Sequence, residues 1–174
     1  MIYPPGKDSF LLEKYIKLFA KGKVLDIGTG SGILAKEALK YTKDVTASDI
    51  NKECLKALKS EKIKAIHSSL FEKIKGKFDL ILFNPPYLPE DIREDKEGKV
   101  ALCGGKQGYE IIFKFLEEAK SHLKKSGKIL LVFSSLSKKG KIEQKLKELN
   151  YSFSIIEQEK FFFETIYLYL IERK

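Results

Sequence analysis

The sequence predicts an α/β protein whose seven strands form one mostly parallel sheet with helices on both faces. Short apolar runs alternate with amphipathic helical segments, which is typical of parallel strands buried on both sides. The last two predicted strands, residues 151–157 and 163–171, follow each other without a helix and should form an antiparallel hairpin. A chain of 174 residues is long enough for one such core. We therefore expect residues 1–174 to form a single domain.

The individual elements are predicted from the spacing of their apolar residues. Residues 8–20 carry these at helical spacing, with Asp8 or Ser9 as the N-terminal cap. The apolar cluster Phe161–Phe163 is assigned to the core. The remaining predicted helices are residues 33–40, 52–60, 108–125 and 138–149, and the remaining strands are residues 23–28, 44–49, 63–69, 78–84 and 128–135.

Composition narrows the class of protein. The net charge is +9, but the lysines lie beside glutamates on predicted helix faces, which favours a solvated surface and leaves nucleic acid as an open partner. No apolar run approaches the roughly 18 residues of a membrane span, and the first residues lack the layout of a signal peptide, so we expect a cytoplasmic protein. Cys54 and Cys103 make no metal-type pair and are interpreted as structural or incidental. No metal site is expected, because His67 and His122 lie near no cysteine in the sequence.

A glycine-rich loop, DIGTGSG at residues 26–32, follows the first predicted strand and opens a helix. Its spacing is not that of a dinucleotide-binding fingerprint, and no Lys-Ser/Thr pair follows as in a P-loop. Asp26 is placed to meet a cation such as an ammonium group. Asp49 ends the second strand, where a carboxylate can accept both hydroxyls of a ribose. The loop and Asp49 together predict a nucleoside site, with a purely structural turn as the alternative.

The fourth predicted strand ends in NPPY, residues 84–87. The Asn84 side-chain oxygen and the Pro85 carbonyl can accept the two N–H groups of a planar NH2 group, whose delocalised lone pair makes it a poor nucleophile. Pro85 and Pro86 restrict the backbone, and Tyr87 offers a flat face for stacking. The alternative is a rigid turn that merely ends a buried strand.

Taken together, DIGTGSG, Asp49 and NPPY resemble the Rossmann-like S-adenosylmethionine-dependent methyltransferases. The stretches YPPGKDSFLLEKYI and CGGKQGYEIIFKFL resemble the HemK-like protein-glutamine methyltransferases, in their archaeal and eukaryotic branch, over nearly the whole chain. This resemblance implies transfer of a methyl group from S-adenosyl-L-methionine to the glutamine of the GGQ motif in a class I translation release factor. It implies S-adenosyl-L-homocysteine as the product and no metal.

The resemblance also implies roles for individual residues, and residues 1–20 would complete the cofactor site. Catalysis and substrate binding are assigned to Asn84, Pro85, Pro86 and Tyr87, with Asn84 also touching the cofactor. The sequence departs from the family at Ser69, where an Asp is usual. The cofactor residues are Ser9 at the methionine end with Asp8 nearby, Asp26, Gly28 and Gly30 in the loop, Asp49 at the ribose, and Ser69 and Leu70 at the adenine.

Partners and other acceptors stay open. The resemblance implies a small zinc-binding activator subunit at the Ile63–Ser69 sheet edge, although Lys62 and Lys64 could equally protect that edge. Gly104, Gly105 and Gly108 either give flexibility to a helix start or shape a substrate entrance. Alternative functions are methylation of adenine N6 in DNA or RNA, methylation of protein lysine, and a non-catalytic scaffold that kept the fold.

Overall fold

The computed structural model of the chain describes residues 4–58, 61–87 and 105–174, and these form one sheet with helices on both faces. The helices are α1 (Lys7–Phe19), α2 (Ile33–Leu39), α3 (Lys52–Lys56), α4 (Glu110–His122) and α5 (Lys139–Glu148), with a 3-10 turn at Ser135–Ser137. The strands are β1 (Lys23–Ile27), β2 (Asp44–Asp49), β3 (Lys64–His67), β4 (Phe78–Phe83), β5 (Leu123–Ser134), β6 (Tyr151–Lys160) and β7 (Thr165–Arg173).

The seven strands have the order β3-β2-β1-β4-β5-β7-β6. Strands β1 to β5 pair in parallel, and β7 is antiparallel to both β5 and β6. The predicted α/β sheet with a C-terminal hairpin is therefore confirmed. Strand order reverses between β1 and β4, the position at which open α/β sheets bind ligands beyond the carboxyl ends of their strands.

Two hydrophobic cores lie on opposite faces of the sheet, because successive strand residues point to opposite sides. Leu25 and Ile81 belong to the core covered by α4 and α5. Their chain neighbours Val24 and Leu80 belong to the core covered by α1 and α2. Burial on both faces explains why β1 and β4 are almost entirely apolar in sequence.

Three local predictions are wrong. The helix predicted over 108–125 ends at His122, because the buried Leu123 pairs with Phe78 and opens β5 five residues earlier than predicted. The N-cap of α1 is Gly6 rather than Asp8 or Ser9. Phe162 and Phe163 lie outside the core in the turn between β6 and β7, with 92% and 86% of their surface exposed.

The third predicted strand, Ile63–Ser69, is present as the shorter β3, and it lies at an edge of the sheet as expected. No helix in the described parts of the chain is both long enough and apolar enough to cross a membrane.

Candidate active site

The carboxyl ends of β1, β2 and β4 bring three predicted polar residues to one edge of the sheet. The register aligns Ile27 with Phe83 on one side and with Ser48 on the other. Asn84 and Asp49 therefore follow at the level of the loop that begins after Ile27. Asp26 lies two residues before that level on β1. The sequence prediction that these acids and the amide share one edge is met by the strand register.

The glycine loop turns back at once onto β2, because the Thr29 N–H donates to the Ser48 carbonyl at 3.0 Å. Gly28 and Gly30 have φ of +66° and +51°, a region that side-chain-bearing residues rarely adopt. The Gly30 N–H donates to Asp49 Oδ2 at 2.9 Å, and the Asn51 N–H donates to Asp49 Oδ1 at 2.7 Å. Backbone groups on both sides thus hold the Asp49 carboxylate, which is 8% exposed.

Asp26 is fully buried beneath the loop. The Thr29 hydroxyl donates to its Oδ2 at 2.6 Å, whereas Oδ1 has no hydrogen-bond partner within the described residues. Burial raises the pKa of Asp26 from 3.8 to about 7, against the opposing effects of the Thr29 hydroxyl and of the Ala35 backbone N–H. A buried carboxyl oxygen without a partner is suited to a cationic group of a ligand.

The NPPY segment is held by the first turn of α1. Asn84 Nδ2 donates to Ser9 Oγ at 3.0 Å, and the Tyr87 hydroxyl donates to Asp8 Oδ2 at 3.1 Å. Asp8 Oδ1 accepts the Ser9 N–H at 2.8 Å, which ties the two anchors to each other. Asn84 Oδ1 is buried and has no hydrogen-bond partner among the described residues. The amide therefore has one end fixed and its acceptor end available.

Tyr87 is anchored from a second direction, because Ser137 Oγ donates to the Tyr87 carbonyl at 2.7 Å. Burial, and then the charge of Asp8, raise the pKa of its phenol well above the ordinary range. The sequence does not predict the contact between Tyr87 and Asp8, since it indicates only a capping role for Asp8 at the start of α1. The only signal for it was the resemblance of the YPPGKDSF stretch, which gives no pairing.

The turn after β3 closes the far side of Asp49. The Ser68 N–H donates to the Asp49 carbonyl at 3.1 Å, which sets the following Ser69 and Leu70 beside the end of β2. Leu70 is buried and has a φ of +43°, a conformation that this tight turn imposes. Gly105 and Gly108 lie before α4, and the Gly108 N–H donates a hydrogen bond to the Gly105 carbonyl at 3.2 Å.

Gly104 and Cys103 lie outside the described residues. Cys54 is buried, and burial together with the Asp49 charge raises its thiol pKa to about 11, so it stays protonated. Within the described ranges, no group of three or more His, Cys, Asp or Glu side chains could hold a metal ion.

Comparison with known proteins decides the family. The family model described as the methyltransferase small domain matches residues 7–163. The chain belongs to this methyltransferase family. The resemblance inferred from DIGTGSG, Asp49 and NPPY is thereby confirmed, and the chain is an S-adenosylmethionine-dependent N-methyltransferase by its family and relatives.

Individual relatives agree with the predicted glutamine methyltransferase. A protein of Methanocaldococcus jannaschii, provisionally named protein N5-glutamine methyltransferase, is 38% identical over 174 residues, covering 95% of this chain and 88% of its own. Release factor glutamine methyltransferases of Aquifex aeolicus and Borreliella burgdorferi are 31% and 40% identical, over 85% and 63% of this chain. The chain spans only 59% and 43% of those two bacterial relatives.

Solved structures share the fold. The E. cuniculi Mtq2–Trm112 complex, described as responsible for methylation of the eRF1 translation termination factor, contains a chain that superposes with a TM-score of 0.81 at 24% identity. That match covers 99% of this chain and 98% of the other. A ribosomal protein L11 methylase from Lactobacillus delbrueckii gives 0.72 at 27% identity, covering 99% and 81%.

The residues present fit S-adenosylmethionine, the methyl donor of this family. S-adenosylmethionine carries an ammonium group, a ribose and an adenine. Against these, the edge of the sheet offers the unpartnered oxygen of Asp26, the oriented carboxylate of Asp49 and the turn that contains Leu70. The left-handed glycines of the loop leave its backbone open to a closely approaching ligand.

Proposed function

We propose that the chain transfers a methyl group from S-adenosylmethionine to the side-chain amide nitrogen of a glutamine, the GGQ glutamine of a class I translation release factor. The observation that carries this proposal is the state of Asn84. Its Nδ2 is committed to Ser9, and its Oδ1 is buried without a hydrogen-bond partner among the described residues. A buried acceptor of this kind costs free energy unless a donor arrives to satisfy it.

A primary amide suits this acceptor. Its NH2 group presents two N–H donors in one plane, for which Asn84 Oδ1 and the Pro85 carbonyl serve as the two acceptors. Held in this way, the nitrogen has its lone pair perpendicular to the plane of the two bonds. Positive charge that develops on the nitrogen during transfer is stabilised by the same two oxygens. Positioning of this kind supplies much of what a weak nucleophile lacks.

Tyr87 in this scheme is a packing and positioning residue. Its raised pKa keeps the phenol protonated, so it does not serve as a base. Its ring provides a flat face beside Pro86 for the planar amide, and its hydroxyl stays on Asp8. The proton that the methylated nitrogen gives up passes to solvent, since residues 84–87 offer no base.

The remaining residues hold the cofactor, which supplies the electrophilic methyl group when bound. Asp26 pairs with its ammonium group, and Asp49 accepts the ribose hydroxyls. Gly28 and Gly30 let the loop backbone approach, and Ser9 lies at the methionine end. Ser69 and Leu70 line the adenine. In this scheme residues 1–174 act as one domain whose first 20 residues complete the site, and no metal takes part.

An activator subunit is proposed at the outer edge of β3. This strand is only four residues long, and no strand in the described residues pairs with its outer edge. Its Lys64, Ala65 and His67 are exposed. An open edge can accept a strand from another chain. The E. cuniculi structure that shares this fold is a complex with Trm112. A small zinc-binding partner is the form of activator that we propose here.

The test is mass spectrometry of the release factor after incubation with the enzyme and S-adenosylmethionine, with and without a candidate activator. We expect one methyl group on the GGQ glutamine and none when that glutamine is replaced by asparagine. Separate reactions contain DNA, RNA and the release factor's lysine-bearing surface peptides. A methyl group only on adenine or lysine would overturn the proposed acceptor and favour those alternatives.

A further inference from the structure

Two phenylalanines project from the turn between β6 and β7. This turn, residues 161–164, is called the hairpin tip below. Phe162 is 92% and Phe163 is 86% exposed, the highest values among the large apolar side chains described as exposed. A phenyl ring left in water forfeits the stabilisation that burial would provide. Exposure at this position therefore does not stabilise the fold and is more consistent with a role in binding.

The turn itself does not require phenylalanine. The hairpin tip is closed by the Phe161 N–H, which donates to the Glu164 carbonyl at 2.8 Å. Hairpin turns favour Gly, Asn or Asp where φ is positive. Phe162 and Phe163 are absent from the residues with positive φ, so any small polar residue could adopt their backbone conformation.

The two rings contact each other, and the turn that carries them is anchored on both sides. They pack edge to face, with centroids 4.7 Å apart and an interplanar angle of 81°. On one side, Ser134 Oγ donates to Glu164 Oε2 at 2.5 Å, and the Thr165 N–H donates to Ser135 Oγ at 3.0 Å. On the other side, Lys7 Nζ lies 4.3 Å from the centroid of the Phe161 ring. A surface fixed in advance loses little conformational freedom when it binds.

The hairpin tip lies beside the acceptor end of the active site. Ser134 at the carboxyl end of β5 pairs with Ile166 near the start of β7, so the turn projects from the same edge as residues 84–87. Tyr87 and Phe161 pack against the same core cluster. The charge of Glu164 is among the groups that raise the pKa of Tyr87.

We infer that the hairpin tip is a docking surface for an apolar side chain of the protein substrate close to its target glutamine. This inference rests on the proposed function and adds a specificity-determining contact to it. An edge-to-face pair presents apolar ring surface in two directions, but no parallel platform on which bases could stack. The two cations at the tip, Lys7 and Lys160, are matched by Glu159 and Glu164, so the tip has no positive patch for a phosphate backbone.

The test compares the wild type with the double variant Phe162→Ser/Phe163→Ser. Tyr41→Ser is the matched control, because Tyr41 is also an exposed aromatic residue, at 46%, and lies between α2 and the start of β2, at the opposite edge of the sheet. With the intact release factor as substrate, we expect the double variant to raise KM at least tenfold while kcat changes less than threefold. The control variant should leave both within twofold.

Three outcomes are distinguishable. If the wild type does not methylate the release factor, the proposed function fails, and this inference fails with it. If the wild type does methylate it and the double variant keeps its KM, only the docking surface is wrong. If the wild type is a dimer by light scattering and the double variant is a monomer with unchanged KM, the rings serve a second copy of this chain instead. Cofactor affinity, measured by calorimetry, should be equal in all three proteins.

Discussion

The two halves of the active site are positioned by different means. Around the glycine loop, Asp49 is held by backbone N–H groups from Gly30 and Asn51, both within 20 residues of it in the chain. In the NPPY segment, Asn84 and Tyr87 are held by side chains of α1 that lie 75 and 79 residues away. The donor half is thus built into the sheet and its loops, whereas the acceptor half depends on how a separate helix docks. Changes in α1 should therefore damage the second half more than the first, in which Ser9 is its only proposed contact with the cofactor.

The largest expected effect is that of Asn84→Ala. Removing the acceptor oxygen should lower kcat about 10²- to 10³-fold, the range seen when one preorganised polar group is lost from a transition-state site. Cofactor affinity should change little, because the donor half is held by other groups. Turnover with labelled cofactor would measure kcat, and calorimetry with S-adenosylmethionine would measure the cofactor affinity. Near-normal turnover would remove Asn84 from the chemistry.

The next effect concerns the donor half and follows from the pKa of Asp26. The folded pKa of about 7 lies above the unfolded value of 3.8, so the folded protein binds more protons between these values. Stability should therefore fall as pH rises through that window and level off above it. Between pH 5 and 8 the wild type should lose roughly 2 to 3 kcal/mol of stability relative to Asp26→Asn. Urea unfolding of both proteins without cofactor would measure this, and parallel pH curves would contradict it.

A smaller effect is expected from Asp49→Asn, which keeps the size of the side chain and removes its charge. Cofactor affinity should fall about tenfold, because hydrogen bonds to a charged acceptor are stronger than those to a neutral one. At saturating cofactor kcat should stay within threefold. Calorimetry would give the affinity. Asp44→Asn is the matched control, since Asp44 is exposed at the opposite end of the same strand. Equal affinities for the two variants would exclude Asp49 from the ribose site.

The smallest expected effect is that of Ser9→Ala, and it tests most directly whether α1 acts through Asn84. Ser9→Ala removes the partner that orients the Asn84 amide and should lower kcat about fivefold, the value of one ordinary hydrogen bond. Ser9→Thr keeps a hydroxyl and should restore most of the rate. The double variant Ser9→Ala/Asn84→Ala should be no slower than Asn84→Ala alone, because Ser9 acts through that amide. A purely additive loss would mean that Ser9 acts on the cofactor instead.

The same division explains what the sequence could predict. The sheet, its hairpin and the glycine loop were predictable, because apolar periodicity and glycine spacing are local signals. The helix predicted over 108–125 is present, but its predicted end is wrong because Leu123 continues the helical spacing of Leu116 and Ala119, yet pairs with Phe78 on a neighbouring strand. Pairing with a distant strand leaves no trace in the local pattern.

The wrong predictions for residues at and near the site have a similar cause. The helix-capping role predicted for Asp8 depends only on its neighbours in the chain. In the structure its Oδ2 instead accepts a hydrogen bond from Tyr87, which lies 79 residues away. The cluster Phe161–Phe163 was assigned to the core because composition records hydrophobicity and not solvent contact. Phe161 does pack against the core, whereas the exposure of Phe162 and Phe163 follows from the β6–β7 register, in which Lys160 pairs with Thr165 and leaves residues 161–164 to form the turn.

The placement of β7 between β5 and β6 bears on synthesis at the ribosome. β6 is translated first, but among the described strands it pairs with β7 alone. Until β7 has left the exit tunnel, β6 has nothing to pair with, and the outer edge of β5 stays open to other nascent chains. A translational pause within residues 151–164 would prolong that exposed interval, so chaperone demand should concentrate at this late stage of elongation.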